Sequence, residues 1–436
     1  MYICDMIIDN SFCEFLLFNY WNLATLQGGT RAMGADTLGK KHDLKNIMFF
    51  SAFIPLVIAQ ILTMTSFSFA WTTWYASLDF VVIVLAYATM IFKILLVDKY
   101  KYRYTNVILV FILVLLFCHA AFIVEDWDFA ILFALGFGSI GIELKKILKI
   151  YVIESLTIVL ITTTLALVGV IPNLSITQYG RTRYAMGNFY CTDYAARMFF
   201  LMLTVLLIYH KTIKWFHLVI MLGISIAVFI PTFAKLDFAC MLLTLMIFAI
   251  HLIVSKHTKN RFSKVWNFVW PKIGILSVPV TAIGMLILTL MYSPDNSFSK
   301  LLDRILTNRL RLGHNGFSEF GVRLLGQPVN YHGGYDSADV YNFVDCSYLH
   351  ILFREGLIAV LAVIIMYVLI AKKHQNQIVV MYIVSMIALN CMIAHHMIEI
   401  DNNPLGLLLF ANCGTLFSDR ESGFERKEGV SDENKQ

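Results

Sequence analysis

The 436-residue chain is 58% hydrophobic and only 14% charged, with a mean hydropathy of +0.71. That composition excludes a soluble globular domain of this size and points to an all-α polytopic integral membrane protein. The net charge of +5 comes mainly from short lysine-bearing loops, so it reports orientation in a bilayer and gives no reason to expect nucleic acid as a partner.

Taken in chain order, the segment 1–45 comes first. Met1 to Leu26 is apolar, but Asp5, Asp9 and Glu14 interrupt it and no basic stretch precedes it. It reads as a poor signal peptide and a poor spanning helix, hence as a cytoplasmic or mis-started segment with the working chain beginning near Met33. Apolar runs long enough to span a bilayer then recur near 46–66, 78–97, 105–123, 129–143, 150–171 and 198–210. Further runs lie near 215–231, 236–254, 273–292, 356–371, 377–394 and 404–417, which makes about twelve spans over 46–417. Basic clusters follow every second span, at 99–103, 145–149, 211–214, 256–264 and 372–373, and return as Arg420, Arg426 and Lys427 in the polar tail 418–436. The loops near 67–77, 124–128 and 395–403 contain no Lys or Arg, so both termini are expected in the cytoplasm of a cell-membrane protein. Trp71, Trp74, Tyr75, Trp127 and Tyr292 fall at outer span ends as an interfacial belt would, and Lys93 is placed to snorkel to the inner headgroups.

Two outer segments are longer, 172–197 and 293–355. Within the second, 297–312 reads as one amphipathic helix capped by a residue in 295–297, with Lys300, Arg304, Asn308 and Arg311 on one stripe. Several glycines follow it, and 347–355 reads as an interfacial turn leading into the span at Gly356. Arg181, Arg183 and Arg197 lie in the first segment, and Arg304, Arg309, Arg311 and Arg323 in the second. Arginines concentrated outside run against the usual lysine-inside bias. A guanidinium grips phosphate through paired hydrogen bonds, so these segments point to a phosphate-bearing, lipid-linked substrate. The alternative is that they bind anionic headgroups.

Carboxylates and imidazoles share that face: Asp193, Glu319, Asp336, Asp339, Asp345, His314, then His395, His396, Glu399 and Asp401. Transfer of a glycosyl group from a lipid diphosphate needs cations for the leaving group and a base for the acceptor hydroxyl. With arginine supplying the charge, neither a metal nor another cofactor is required. Asp336 and Asp339 read as solvated turn residues rather than metal ligands. Asp345 is open to two readings, base or helix N-cap. Cys191 and Cys346 lie on one face, where a disulfide is allowed.

These residues carry a resemblance. The run Arg181-Thr182-Arg183-Tyr184-Ala185-Met186-Gly187 with Tyr190-Cys191-Thr192-Asp193-Tyr194 resembles the first outer-loop signature of Wzy-type polysaccharide polymerases. Asn308-Arg309-Leu310, Phe320-Gly321 and Leu325-Gly326-Gln327-Pro328 resemble the start of the family's long loop. Tyr341-Asn342-Phe343-Val344-Asp345-Cys346 resembles its end, and His396, Glu399 and Asn403-Pro404 its last motif. Two departures stand out: Ala234-Lys235 where many members carry Ser-Arg, and Tyr190-Cys191-Thr192 where His-Pro-Asn is common. The resemblance implies a membrane-embedded glycosyltransferase-type bundle. It would join undecaprenyl-diphosphate-linked oligosaccharide repeat units at the outer face, alongside a flippase and a chain-length regulator. By analogy Arg183 and Arg309 would contact diphosphate, supported by Arg181, Arg311 and Arg323. Asp193, Tyr341 and Asn342 would contact substrate, and Asp345 or the His396–Glu399 pair would be the base. A flippase for lipid-linked oligosaccharide, or an O-antigen-type ligase, is the competing expectation. Transporters favour midplane charges and internal repeats, whereas the apolar runs here are nearly free of charge and show no repeat period.

Overall fold

The structure is a computed structural model that describes residues 36–67, 72–98, 103–178, 180–257, 260–333 and 341–418. The expected start near Met33, Trp71, the lysines at 99, 101 and 259, Asp336, Asp339, Arg420, Arg426 and Lys427 lie outside the described residues. The chain divides into Met1–Leu44, of which the described part is helical from Asp36, and Lys45–Gln436, which holds everything that follows.

Fifteen α-helices are labelled in chain order. They begin with α1 (Asp36–Thr63), α2 (Thr72–Phe92), α3 (Arg103–His119), α4 (Asp128–Gly138) and α5 (Leu144–Leu167). A hairpin of β1 (Ser175–Gln178) and β2 (Arg181–Tyr184) precedes α6 (Cys191–Ile208), α7 (Trp215–Thr232), α8 (Lys235–Lys256) and α9 (Arg261–Leu290). Then come α10 (Ser297–Ile305), α11 (Arg309–Glu319), α12 (Ser347–Arg354), α13 (Leu357–Lys373), α14 (Ile378–Asn390) and α15 (Gly414–Phe417). Among the described residues eight helices are long and apolar enough to cross a membrane, so the chain is an all-α bundle consistent with a polytopic helical fold. Their outward faces are apolar: Val107, Ile108, Phe111 and Leu115 on α3, and Val265, Phe268, Leu276 and Val280 on α9, all stand exposed.

The helix at the centre is α14. It packs on α9, α8, α6 and α13, and it is apolar nearly all round because all of it but Ile378 and Leu389 is buried. After it the chain departs from expectation. Residues 404–417 form no spanning helix; they are a 3₁₀ turn at Pro404–Leu409 and the four-residue α15. Pro404 starts the tight turn, with the Asn403 side chain accepting from Leu405 N. The backbone returns toward the lysine-bearing end, where Lys373 Nζ donates to Leu409 O and Lys211 Nζ to Ser418 O. The run at 129–143 is likewise a short helix, α4, followed by a turn.

Three smaller expectations also change. The amphipathic helix at 297–312 is two helices, because Thr307 (φ 52°) and Asn308 (φ 69°) adopt left-handed backbone between α10 and α11. Asp303 stabilises the break from both sides: its carbonyl accepts from Asn308 N and its carboxylate from Arg311 N. The cap itself is Asn296, within the expected window. Lys93 does not snorkel; it is fully buried and ion-paired to Asp98 at 2.8 Å, which Lys45 also reaches. Cys191 and Cys346 are both buried free thiols.

The long loop is stitched to the helix that follows it. Leu357 N donates to Arg323 O and Ile358 N to Leu324 O, satisfying α13 amides that have no intrahelical partner. Gly326 and Gly356 cross there, both at positive φ, and a Cβ on Gly356 would sit 2.2 Å from Gly326 N. Gly356→Ala should therefore cost on the order of 3 kcal/mol in thermal unfolding of the detergent-solubilised protein. Gly180→Ala, also at positive φ but with open space around it, should cost only about 1 kcal/mol. Equal effects would show that the crossing is not tight.

Candidate functional site

The site is built around a stretch of irregular backbone. Between α14 and the 3₁₀ turn, residues 391–403 have no regular structure, yet nearly all of them are buried. Such a segment is tolerable inside an apolar bundle only if its polar groups find partners in the protein. Side chains from distant helices supply them. Tyr151 of α5 donates to the carbonyls of Asp401 (3.0 Å) and Asn402 (2.7 Å), and Tyr367 of α13 donates to Met397 O. Asn403 Nδ2 donates to Met397 O and to the Tyr367 hydroxyl. Arg197 of α6 is fully buried and donates to both the carbonyl and the carboxylate of Asp401, each at 2.9 Å. Expected as an outer-loop residue, Arg197 is instead an internal tie.

This segment carries the ionisable cluster. His396 Nδ1 lies 2.5 Å from Glu399 Oε2, which also accepts from Asn402 Nδ2, and His396 Nε2 lies 3.9 Å from Asp193 Oδ1. Burial alone would push the His396 imidazole down, but Glu399, with Asp193 and Asp401 behind it, holds it up to about 9. Burial would likewise raise the Glu399 carboxyl, but His396 and then His395 hold it well below the usual carboxylate range. The two therefore form an imidazolium–carboxylate pair at neutral pH. His395 differs: burial and the neighbouring His396 charge push it below its ordinary value, while Glu399 Oε1 lies 3.4 Å from its Nε2. One loop thus presents a charged and a neutral imidazole side by side. Asp193, His395 and His396 have ligand atoms within 4.8 Å of one another, the spacing of a loose metal cluster. Holding an ion there would require His396 to give up its proton, because a ring nitrogen that carries one has no lone pair to donate.

Above this loop lies a cavity of about 710 Å³. Of the residues expected at the site, Asp193, Asp345, Tyr341 and Glu399 line it, and His396 sits one layer behind. Asp345 does not cap α12, whose N-cap is Cys346 with no side-chain hydrogen bond; it pairs with Arg309 at 3.2 Å. Arg309 also donates through Nε and Nη2 to Ile393 O, which ties α11 to the buried loop. The hairpin carries Arg183, whose Nε donates to Thr232 O, and Arg181, which stacks 4.4 Å from the Phe233 ring. Lys235 approaches the same ring at 5.1 Å. Arg311 and Arg323 are exposed and stand apart from the cavity lining. Asn342 pins the loop, accepting from His332 N and donating to Glu319.

The sequence reading passed over half of the lining. Tyr331, Phe343 and His350 form an aromatic wall with His395, and Trp127 packs on Phe80 and Phe117 and lines the cavity. Glu125, Asp126 and Asp128 flank Trp127 in the chain, Asp79 lines the same cavity, and Arg354 pairs with Asp126 at 2.6 Å. The signal was in view: three acids within four residues, at a loop scored only for its lack of lysine. No protein-family model, curated protein or solved structure matches the chain.

Two outcomes follow from this geometry. Arg197→Met strands the Asp401 carboxylate in the interior and should cost about 3–5 kcal/mol in thermal unfolding, whereas Arg197→Met with Asp401→Leu should recover much of it; a double variant as unstable as the single one would deny the pairing. The His396 pair is present below the ordinary imidazole value of 6.5 and is lost as pH rises through about 9. The melting temperature should accordingly fall across that window, and His396→Asn should flatten the fall.

Proposed function

We propose that the chain is a glycosyltransferase of the cell membrane, polymerising undecaprenyl-diphosphate-linked oligosaccharide repeat units at the outer face. The observation that carries this reading is the pairing of an aromatic- and carboxylate-lined cavity with a cationic rim. Flat rings and acceptor oxygens suit the C–H faces and hydroxyls of sugars. The cations Arg181, Arg183, Lys235 and Arg309 gather near the start of α8 and α11, where they suit a diphosphate. Lys235 stands where the resembled family often has arginine, and its place beside Arg181 suits the same duty.

In the reaction, an acceptor hydroxyl oxygen attacks the anomeric carbon of the donor. The new glycosidic bond forms as the bond to diphosphate breaks, and the polyprenyl diphosphate leaves with its charge held by the cationic rim. The hydroxyl proton goes to a base at the cavity wall. His395 fits that duty better than His396: it lines the cavity and is neutral at physiological pH, with Glu399 orienting its Nε2. His396, already charged, serves to hold Glu399. Asp345 is engaged with Arg309 and is better placed to position that guanidinium. The competing readings share the donor but differ in outcome, so one experiment separates them.

In a strain lacking this gene, single lipid-linked repeat units should accumulate on the outer face. Units stranded on the inner face would make the protein a flippase, and full-length polymer left on its lipid would make it a ligase. Restoring the gene with Arg309→Lys or His395→Asn should leave chain growth reduced by about a hundredfold or more while the protein still inserts. Wild-type polymer from either variant would remove that residue from the mechanism.

A further inference from the structure

The cavity and its rim have opposite charge, and the imbalance within the cavity is large. Among the described lining residues there are seven carboxylates and one guanidinium. That guanidinium, on Arg354, is already committed to Asp126. Of the others, Asp79 on α2 and Asp128 at the start of α4 are half-buried and Glu125 is exposed; among the described residues Asp79 accepts one neutral hydrogen bond, from Gln60 Nε2 at 3.0 Å. Asp193, 9% exposed, also lines the cavity; among the described residues its carboxylate accepts no hydrogen bond and its ion-pair partner is the His396 ring, 3.9 Å away. The Tyr331 hydroxyl is shielded from solvent and also has no partner among the described residues. Buried and half-buried carboxylates that share one cavity repel one another and lose part of their hydration, and a ligand bearing positive charge relieves both costs. A ligand bearing a carboxylate makes both worse.

We propose that the cavity selects glycans by charge, accepting repeat units that carry a basic amino group and excluding those that carry a uronate. The inference rests on the reading of the cavity as a glycan site and adds the substrate class. The amino group seats on the acidic lining that Asp79 and Asp128 contribute, while the neutral sugar faces lie on Trp127 and Tyr331. The diphosphate stays at the cationic rim, because the same carboxylates that attract an ammonium repel it. Specificity of this kind needs both an attraction for the right ligand and a penalty for the wrong one, and one set of carboxylates supplies both.

The test uses the full chain in detergent micelles, with binding followed through tryptophan fluorescence because Trp127 lines the cavity. The probes are a trimer of glucosamine, its fully N-acetylated counterpart and a trimer of galacturonic acid, near neutral pH. The glucosamine trimer should bind at least about tenfold tighter than the acetylated one, and the galacturonate trimer should not bind. Replacing Asp79→Asn together with Asp128→Asn should bring the glucosamine trimer down to the affinity of its acetylated form. Equal affinity for all three trimers would overturn charge selection and leave the glycan site standing. Galacturonate binding that appears on adding magnesium would overturn it too, since a metal ion would then occupy the acidic end. Failure of every trimer to bind would remove the glycan reading itself.

Discussion

One buried ion pair lets this bundle contain a length of chain that is not a helix. Arg197 on α6 and Asp401 in the irregular segment meet in the interior, where a lone charge would cost several kcal/mol. Because the guanidinium reaches the Asp401 carbonyl as well as its carboxylate, it satisfies backbone and side chain together. Tyr151, Tyr367 and Asn403 complete the replacement of the helical hydrogen bonds that 391–403 lacks. Everything placed by that segment depends on this arrangement: the His396–Glu399 pair, the neutral His395 beside it, and the carbonyls of Cys391, Ile393 and Ala394. Those carbonyls receive Ser347 of α12 and Arg309 of α11, so the long loop is docked onto the buried segment.

The second organising feature is electrical. Arg181 and Arg183 on β2 and Lys235 at the start of α8 collect at the end of α7, Arg309 stands at the start of α11 against Asp345 of the cavity lining, and the cavity itself is rich in carboxylates. A molecule with an anionic head and a hydroxyl-rich body would be oriented by that division before any specific hydrogen bond formed. Arg309 stands at the boundary, paired with Asp345 on one side and tied to Ile393 O on the other. Its orientation is thus set by the fold and does not have to be organised when substrate arrives.

Much of the helical architecture was legible because a long apolar run has few alternatives in a bilayer. The limits of that logic show at 404–417, where an apolar run turned out to be a 3₁₀ turn and a short helix: burial inside protein leaves the same hydropathy as burial in lipid. Lys93 and Arg197 were misjudged for the converse reason, since a charged residue reads as peripheral until its partner, Asp98 or Asp401, is known. The break at Thr307–Asn308 was hidden because both halves keep helical spacing, and only the left-handed backbone at the junction changes their facing. Asp193, Tyr341, Asp345 and Glu399, named from type and position along the chain, all line the cavity. His395 and His396 are neighbours with one chemistry. Which of them faces the cavity is set by tertiary contacts to Glu399, Asn402 and Phe343, and no local pattern records that.

The crossing of Gly326 and Gly356 has a bearing on how such a protein could be rebuilt. Because Arg323 and Leu324 lend their carbonyls to the first amides of α13, the middle of the loop and the start of the helix form one structural unit despite their separation along the chain. A chimera that grafted the loop from another protein with its seam at Gly356 would cut through that unit, leaving new side chains to collide and old amides without partners. The natural seams lie outside it, before Gly321 and beyond Ile358, so that the graft carries its own helix cap. Modularity in this bundle follows its hydrogen bonds, and the boundary between loop and helix is the wrong place to look for it.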